Sequence, residues 1–518
     1  LHSFPTRRSS DLLLAPFGVG TIDQALLAVL RVRHGFVRLF GLAGKTVIID
    51  EAHAYDTYMS RLLERLVEWL AALQTHVVVL SATLPESRRR ALIRAFRTGA
   101  GASEETAEPA LPPARYPRVT WADADSVGAI QVTVSPRASR TIRLEWVDEV
   151  ELADRVCQAV MAGACVAWIV NTVGRAQRLF HGLSGRLGGN ADDGLPRVDL
   201  LHARFRHVDR QHREHRVLCR FGKPGGKVVD TEGRVHPVRR PRGALLVTTQ
   251  IVEQSLDLDF DLMVSDLAPI DLLLQRVGRL HRHPRKDRPE LFDTPILWVP
   301  TPQTDADGIP VFDPGTAQVY HPHVLLRTWL TLCDASGISV PGEVSSLIES
   351  VYGDIGVPPE DTNLRRYWEE TLKDLGEMQA AEAREAEARW LRPPNARVNV
   401  WELMQDTKAE DAPDFHRSHQ ALTRLAPPTV SLVPVFPAGD GQVRLSPSGA
   451  RIDLNQEPDR QLTTLLLMHA IPVSHRRLAP WLLSQEAPVG WRRSPLLRSV
   501  RPVMFDAFGM AGVGEFHL

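Results

Sequence analysis

Four short clusters of residues have the types and spacing to do chemistry. Asp50-Glu51-Ala52-His53 directly follows the apolar run Val47-Ile48-Ile49. Side chains at the C-terminal end of a parallel strand open into a ligand crevice. A carboxylate there, Asp50, can hold Mg2+, mostly through water, because hard cations take oxygen ligands. Its neighbour Glu51 can orient and deprotonate an attacking water. The plainer reading is an acidic strand-end turn capping a helix near Thr57. Ser81-Ala82-Thr83 ends the next apolar run. Its small hydroxyls can bond to neighbouring loops or simply cap the following helix. In residues 249–261, Asp257, Asp259 and Asp261 alternate, so in a strand they would share one face. No His or Glu stands at a useful spacing for a metal cluster, so polar contacts to backbone and partner groups are expected instead. In Gln275-Arg276-Val277-Gly278-Arg279-Leu280-His281-Arg282, the positions Gln275, Arg279 and Arg282 fall at i, i+4 and i+7, one polar helix face. Two arginines on one face can clamp a γ-phosphate and stabilise charge in the transition state. A merely solvated basic face would explain the arginines but not the Gln and Gly between them.

These clusters need elements to hold them. Val47-Ile48-Ile49 and Val77-Val78-Val79-Leu80 are short, apolar and β-branched, which predicts parallel strands buried on both faces. Between them Met59, Leu62, Leu63, Leu66, Val67, Leu70 and Leu73 recur at helical spacing. Strand, helix and strand make a βαβ unit. A Pro/Ala/Glu-rich stretch, about 98–118, reads as linker. Residues 166–170, 244–248 and 262–264 are the expected strands of a second α/β set, with an exposed loop at 222–243. Residues 301–316 read as loop, 324–391 as mainly helical, and the last hundred as short strands with basic turns. The domain expectation is therefore a non-native or disordered tail at 1–12, a partial first domain at 13–100 and a linker at 101–140. A second domain at 141–300, a helical linker region at 301–400 and a small C-terminal domain at 401–518 follow.

The chain has 518 residues, enough for three or four domains. No apolar run reaches the roughly 18 residues that span a bilayer, so no membrane partner and a cytoplasmic location are expected. Lys+Arg is 61 against Asp+Glu 62, so any nucleic-acid site must be a local groove rather than a basic face. The four cysteines show no CxxC spacing, which argues against a disulfide framework or a cysteine zinc site.

The order of the motifs says more than any one of them. DEAH, then SAT one βαβ step later, then QRxGRxxR after a second α/β set, is the signature that superfamily 2 helicases show. Gly20-Thr21-Ile22-Asp23-Gln24-Ala25-Leu26, residues 49–56, Leu201-His202-Ala203-Arg204-Phe205, residues 253–261 and Asp266-Leu267-Ala268-Pro269-Ile270-Asp271 resemble the CRISPR-associated helicase-nuclease of type I systems. The resemblance covers about residues 16–283 strongly. It implies an α/β fold of two RecA-like parallel-sheet domains, the first truncated, then a helical linker and a small C-terminal domain. It implies an ATP-dependent single-stranded DNA translocase of antiviral interference, with ATP and Mg2+ as cofactors. Its partners would be single-stranded DNA and the guide-RNA surveillance complex Cascade. By resemblance Asp50 binds Mg2+, Glu51 activates water, His53 couples to Gln275, and Arg279 and Arg282 are fingers on the nucleotide. Ser81, Thr83 and Asp257 couple hydrolysis to movement, and Gly20, Thr21, Thr172 and Thr249 touch the strand backbone. Another superfamily 2 helicase, or a non-catalytic nucleic-acid-binding fragment, is the alternative.

Two departures matter. No GxxxxGK[ST] loop is present: Gly44-Lys45-Thr46 looks like its tail, but Leu39 stands where the first Gly belongs, and the segment precedes a strand instead of following one. None of the 19 histidines is followed by Asp, whereas the family's nuclease uses a His-Asp pair, so the nuclease domain is expected to be missing and this chain alone to be inactive. His202, His207, His212 and His215 read as surface histidines of one arginine-rich helix. Near the C-terminus, His475-Arg476-Arg477, Trp481, Trp491-Arg492-Arg493, Arg498 and Arg501 interleave aromatics and cations as single-strand binders do. The plainer alternative is core tryptophans with a solvated arginine rim.

Overall fold

The structure is a computed structural model that describes residues 13–32, 35–103, 110–113, 115–135, 139–253, 256–353, 356–394, 423–425, 429–474, 477–506 and 509–510. The expected tail at 1–12, Gln254, Ser255, His475 and Arg476 lie outside the described residues.

Helices α1 (Ile22–Leu26) and α2 (Gly35–Leu42) precede strand β1 (Thr46–Ile49), helix α3 (Thr57–Ala72), strand β2 (His76–Val79) and helix α4 (Glu86–Gly99). β1 and β2 pair in parallel, Thr46 beside His76 and Ile49 beside Val79, which is the βαβ unit that the periodicity predicts. The carboxylate of Asp56 caps α3 by accepting from the Met59 N–H at 2.8 Å. The stripe Leu62, Leu66 and Leu70 is buried and packs with Val47, Ile49 and Val77. The expectation that both strand faces are buried is not met. Ile48 is 64% exposed and Val78 and Leu80 are also open, because alternate side chains leave opposite faces and α3 takes only one of them.

Inside the stretch expected to be linker, β3 (Arg118–Ala122) and β4 (Val127–Gln131) form an antiparallel hairpin. The second domain is a seven-stranded sheet of β5 (Arg140–Val147), β6 (Cys165–Ile169), β7 (Val198–Leu201), β10 (Ala244–Thr248), β11 (Leu262–Ser265), β12 (Ile296–Pro300) and β15 (Gly337–Val340). Their order is β15-β5-β12-β11-β6-β10-β7. Six strands run parallel and β15 closes the β5 edge antiparallel. Two apolar cores fill the two faces, under helices that include α5 (Glu149–Met161), α6 (Val173–Leu187), α7 (His207–Phe221) and α8 (Ile270–Val277). The loop expected at 222–243 holds a small exposed hairpin, β8 (Lys227–Val229) with β9 (Val235–Pro237), and a shorter one pairs β13 (Gln303–Thr304) with β14 (Pro310–Val311).

Residues past 300 belong to this domain too, which corrects the boundary read from sequence. After the short α9 (Pro314–Val319), helices α10 (Pro322–Leu332) and α11 (Val344–Tyr352) add Leu325, Leu332, Val344 and Val351 to the core, and β15 adds Ile338. The linking role falls to α12 (Thr362–Arg389), a 28-residue helix. It returns to the first unit, where the Leu391 N–H donates to Val29 O at 2.7 Å and the Arg31 N–H to Arg389 O at 3.0 Å.

The C-terminal unit centres on β16 (Val430–Gly439). Antiparallel β17 (Gln442–Arg444) and β19 (Ile471–Val473) and parallel β20 (Val500–Asp506) pair with it, with β18 (Arg451–Ile452) and β21 (Gly509–Met510) at the margins. Helices α13 (Arg460–Met468) and α14 (Leu478–Ser484) pack on it. It meets the second domain where the His207 N–H donates to Ala470 O at 3.1 Å. Among the described residues no helix is long and apolar enough to cross a membrane.

Candidate nucleotide and strand-binding cleft

β1 delivers Asp50 and Glu51 to its C-terminal end. The Glu51 N–H donates to Asp50 Oδ1 at 2.9 Å, and Glu51 itself is left-handed, with φ 55°. A non-glycine residue held there is strained, and such strain concentrates at functional sites. The Tyr55 hydroxyl donates to Asp50 O at 3.3 Å. His53 is enclosed: its Nδ1 lies 3.4 Å from Ser81 Oγ, and its Nε2 lies 3.3 Å from Glu51 Oε2 without hydrogen-bond geometry. Ser81 thus meets the DEAH histidine. Thr83 is buried nearby in sequence, and its Oγ1 has no partner among the described residues.

Across the cleft stands the QRVGRLHR segment, and here the helix-face expectation fails. α8 ends at Val277, where the Gly278 N–H closes on Leu274 O at 3.2 Å. Arg279 and Arg282 follow in a turn pinned by a Phe260–Leu280 bridge and by His281 at φ 45°. Gly278 keeps right-handed helical dihedrals, and the chain leaves the helix direction through the left-handed His281. Arg279 donates to the carbonyls of Val252 at 3.2 Å and Glu253 at 2.7 Å. Burial, then Arg282, pulls its pKa down, while Asp257 and Glu51 act to raise it. Arg282 donates to Asp257 Oδ1 at 2.6 Å, which also lies 2.9 Å from His283 Nε2. Burial favours a raised Asp257 pKa, but these partners hold it below the usual carboxylate range. The structure shows no bond between His53 and Gln275. Gln275 Nε2 is buried without a partner among the described residues, and the α8 group that feels His53 is Asp271, whose pKa burial raises.

Asn171 and Gln250, the chain neighbours of Thr172 and Thr249, are joined through a buried hub that the sequence reading missed. Thr172 caps α6, its hydroxyl accepting from the Arg175 N–H at 3.4 Å. Thr249 is buried at the end of β10. Between them Gln250 Nε2 donates to Asn171 O at 3.0 Å and to the Tyr320 hydroxyl at 3.1 Å. Arg276, fully buried, donates to Glu253 Oε1 at 2.7 Å, Ser265 Oγ at 2.8 Å and Asn171 Oδ1 at 3.2 Å. Its phase with Leu273 and Val277 on the apolar face was the available signal. Gly20 and Thr21 lie on the first unit, exposed at the start of α1.

The aspartates of 257–261 do not form a strand. Asp259 is ringed by Arg285 at 2.5 Å, Arg288 at 2.9 Å and Arg240 at 3.4 Å. Asp261 pairs with Arg240 at 2.7 Å and Arg288 at 2.5 Å and accepts from the Cys165 N–H at 2.8 Å. These are partner-group contacts, and no metal-holding group of three occurs among the described residues. His202 is not on the arginine-rich helix: it is buried ahead of α7, stacked on Phe205 with centroids 4.0 Å apart. Burial, helped by Arg213 and Arg204, pushes its pKa down to about 4. Gly44-Lys45-Thr46 does precede a strand, with Lys45 Nζ engaged by the Leu13 and Ala15 carbonyls at 2.6 Å. Near the C-terminus Trp491 is 1% exposed in the core, and Arg501 donates to Leu482 O at 3.1 Å and Gln485 O at 2.8 Å. That geometry favours the plainer reading of these aromatics and cations.

Residues 162–285 match a family model described as CRISPR-associated nuclease/helicase Cas3, C-terminal, and residues 424–518 match one described as Cas3 C-terminal domain. The chain is 39% identical over 548 aligned residues to the CRISPR-associated endonuclease/helicase Cas3 of Thermus thermophilus, covering 98% of this chain and 56% of that protein. It superposes on a T. fusca Cas3-AMPPNP crystal structure with a TM-score of 0.80 at 33% identity, covering 97% of this chain and 56% of the other. A chain of a CRISPR RNA-guided surveillance complex in a pre-nicking state matches with a TM-score of 0.72 at 31% identity, covering 97% and 58%. The chain thus spans little more than half the length of these relatives.

Proposed function

The chain belongs to the Cas3 family of CRISPR-associated nuclease/helicases, and from that premise we propose that it is the part of such an enzyme that couples ATP hydrolysis to movement along single-stranded DNA. The observation that carries this reading is a pair of half-sites: Asp50, Glu51, His53 and Ser81 gather at the strand ends of the first unit, and Arg279 and Arg282 share one turn on the second. In this reading Glu51 orients and deprotonates water, while Arg279 and Arg282 leave their present carbonyl and Asp257 partners to meet the γ-phosphate. Asp50 fits a Mg2+ ion that keeps most of its water: it is one exposed carboxylate at a strand end, with Oδ1 fixed by its neighbour's N–H. That ion would neutralise phosphate charge.

Movement follows from the hub. Arg276 ties the segment bearing Arg279 to Asn171 and to Glu253, so a shift of the finger turn reaches Thr172 and Thr249, the groups assigned to the strand backbone. Gly20 and Thr21 supply the matching contact on the first unit. The AMPPNP-bound relative supports nucleotide binding, and the surveillance-complex relative supports delivery of the strand by Cascade. The test is DNA-stimulated ATP hydrolysis and unwinding by an intact enzyme containing this chain. Glu51→Gln should abolish turnover while nucleotide still binds. Full turnover in that variant would end the reading.

A further inference from the structure

Asp23 follows Gly20 and Thr21 in α1 and is 7% exposed. Its carboxylate is met from 400 residues away. Thr423 Oγ1 donates to Oδ1 at 2.8 Å, Arg424 Nε to Oδ1 at 3.0 Å and Arg424 Nη2 to Oδ2 at 3.0 Å. Thr423 and Arg424 stand just ahead of β16, the central strand of the C-terminal unit. Arg424 also acts electrostatically on Tyr55, whose hydroxyl reaches Asp50 O, and it feels Asp56. A bidentate arginine–carboxylate pair fixes orientation as well as distance, and lysine cannot reproduce that fork. The Gln24 N–H closes on Thr21 O at 3.1 Å, so holding Asp23 also holds the turn that presents Gly20 and Thr21.

We propose that Arg424 is a positioning residue for the DNA strand: by clamping Asp23 it fixes the Gly20-Thr21 turn and ties the C-terminal unit to it, so that strand binding and docking of that unit are coupled. The proposal rests on the single-strand reading above. Coupling of this kind is reciprocal. A strand bound at Gly20 and Thr21 stabilises the docked unit, and the docked unit tightens the strand.

The test uses the full chain and a fluorescein-labelled oligothymidylate, with circular dichroism confirming the fold of each variant. Arg424→Lys and Asp23→Asn should each weaken binding about tenfold, within the usual range of coupling between sites. The salt slope should stay unchanged, because the clamp displaces no counterion. Oligothymidylate should slow hydrogen exchange in β16 of the wild type and not in Arg424→Lys. The exchanged pair Asp23→Arg with Arg424→Asp should recover part of the affinity. Should Asp23→Asn fail to fold, Arg424→Lys, whose side chain is half exposed, decides alone. Unchanged affinity in folded variants overturns the clamp while leaving the strand-binding reading standing. A reduced salt slope also overturns it, since Arg424 would then be touching phosphate itself. A wild-type chain that binds no oligothymidylate would sink the single-strand reading and the clamp with it.

Discussion

Arg279 and Arg282 sit in a turn beyond α8, and this decides what their loss should do. Neither supports the helix, and their present partners are two carbonyls and a half-exposed Asp257. In an intact enzyme Arg279→Ala and Arg282→Ala should therefore each lower kcat, by about a thousandfold for a strong finger, with little change in nucleotide affinity. A finger acts on charge that develops in the transition state. Steady-state kinetics with measured nucleotide binding separates the two, and a change in affinity alone would remove the finger role. Arg276, three residues before Arg279, predicts the opposite. It is buried against Glu253, whose pKa burial already raises. Arg276→Ala leaves that carboxylate buried and unpaired, a loss of about 3–5 kcal/mol, to be read by urea denaturation of the chain. A loss under about 1 kcal/mol, as for an exposed pair, would mean that the hub is not what holds these loops together.

The elements divide into those that the sequence announces and those that it hides. α3 is legible because its apolar residues repeat at helical spacing, and β1 and β2 because they are short apolar, β-branched runs. β6, β10 and β11 are legible because they are the adjacent central strands, buried on both faces. The flanking strands are harder. β7 carries Asp199, a buried charge that pairs with Arg220 and Arg216, and β5 sets the charged Arg143 and Glu145 between Ile142, Leu144 and Trp146. β12 is apolar but follows Pro295 and ends on Pro300, and proline gives no N–H to a sheet ladder. In the site, residue types were legible and partners were not, because a period says nothing of a helix that stops at Gly278. The long helix α12 was legible as a helix but not as the strap joining the two units. Its seat includes His323 on α10, fully buried, with Nδ1 3.0 Å from Thr371 Oγ1 and its ring edge-on to Trp368 at 4.8 Å. Burial, then Arg327 and His321, pushes this imidazole down to about 4, from an ordinary value of 6.5. The folded chain therefore binds that proton less readily than the unfolded one. The stability this histidine gives is complete above pH 6.5 and is lost as pH falls toward 4. Hydrogen exchange in α12, corrected for its intrinsic pH dependence, should accelerate between about pH 7 and 5. His323→Gln should flatten that response; an equal acceleration in the variant would assign it to other groups.

At the scale of the whole molecule, the two halves of the cleft are held together by side chains far from it. The Glu86 N–H at the head of α4 donates to Glu349 Oε1 of α11 at 2.7 Å. Arg61 of α3 pairs with Glu387 of α12 at 3.1 Å. Arg65 lies over the Trp390 ring at 4.2 Å, and Trp69 Nε1 donates to Arg392 O at 3.0 Å. What the chain does not contain is a GxxxxGK[ST] sequence. Its nearest imitation spends Lys45 on backbone carbonyls, so in the proposed reading the β- and γ-phosphates would meet Arg279, Arg282 and Asp50 but no cradle of backbone amides from that motif. The expected behaviour of this 518-residue chain by itself is a dissociation of two properties that an intact helicase joins. It should bind single-stranded DNA with a salt-dependent affinity. Because Lys+Arg and Asp+Glu nearly balance at 61 and 62, the slope of that dependence reports the few local contacts rather than a bulk field. It should not hydrolyse ATP above background with or without that DNA. Release of phosphate from labelled ATP, measured beside oligothymidylate binding on the same preparation, checks both. DNA-stimulated hydrolysis that Glu51→Gln abolishes would show that the fingers, Asp50 and Glu51 suffice to hold the phosphates, and the argument from the missing cradle would fall.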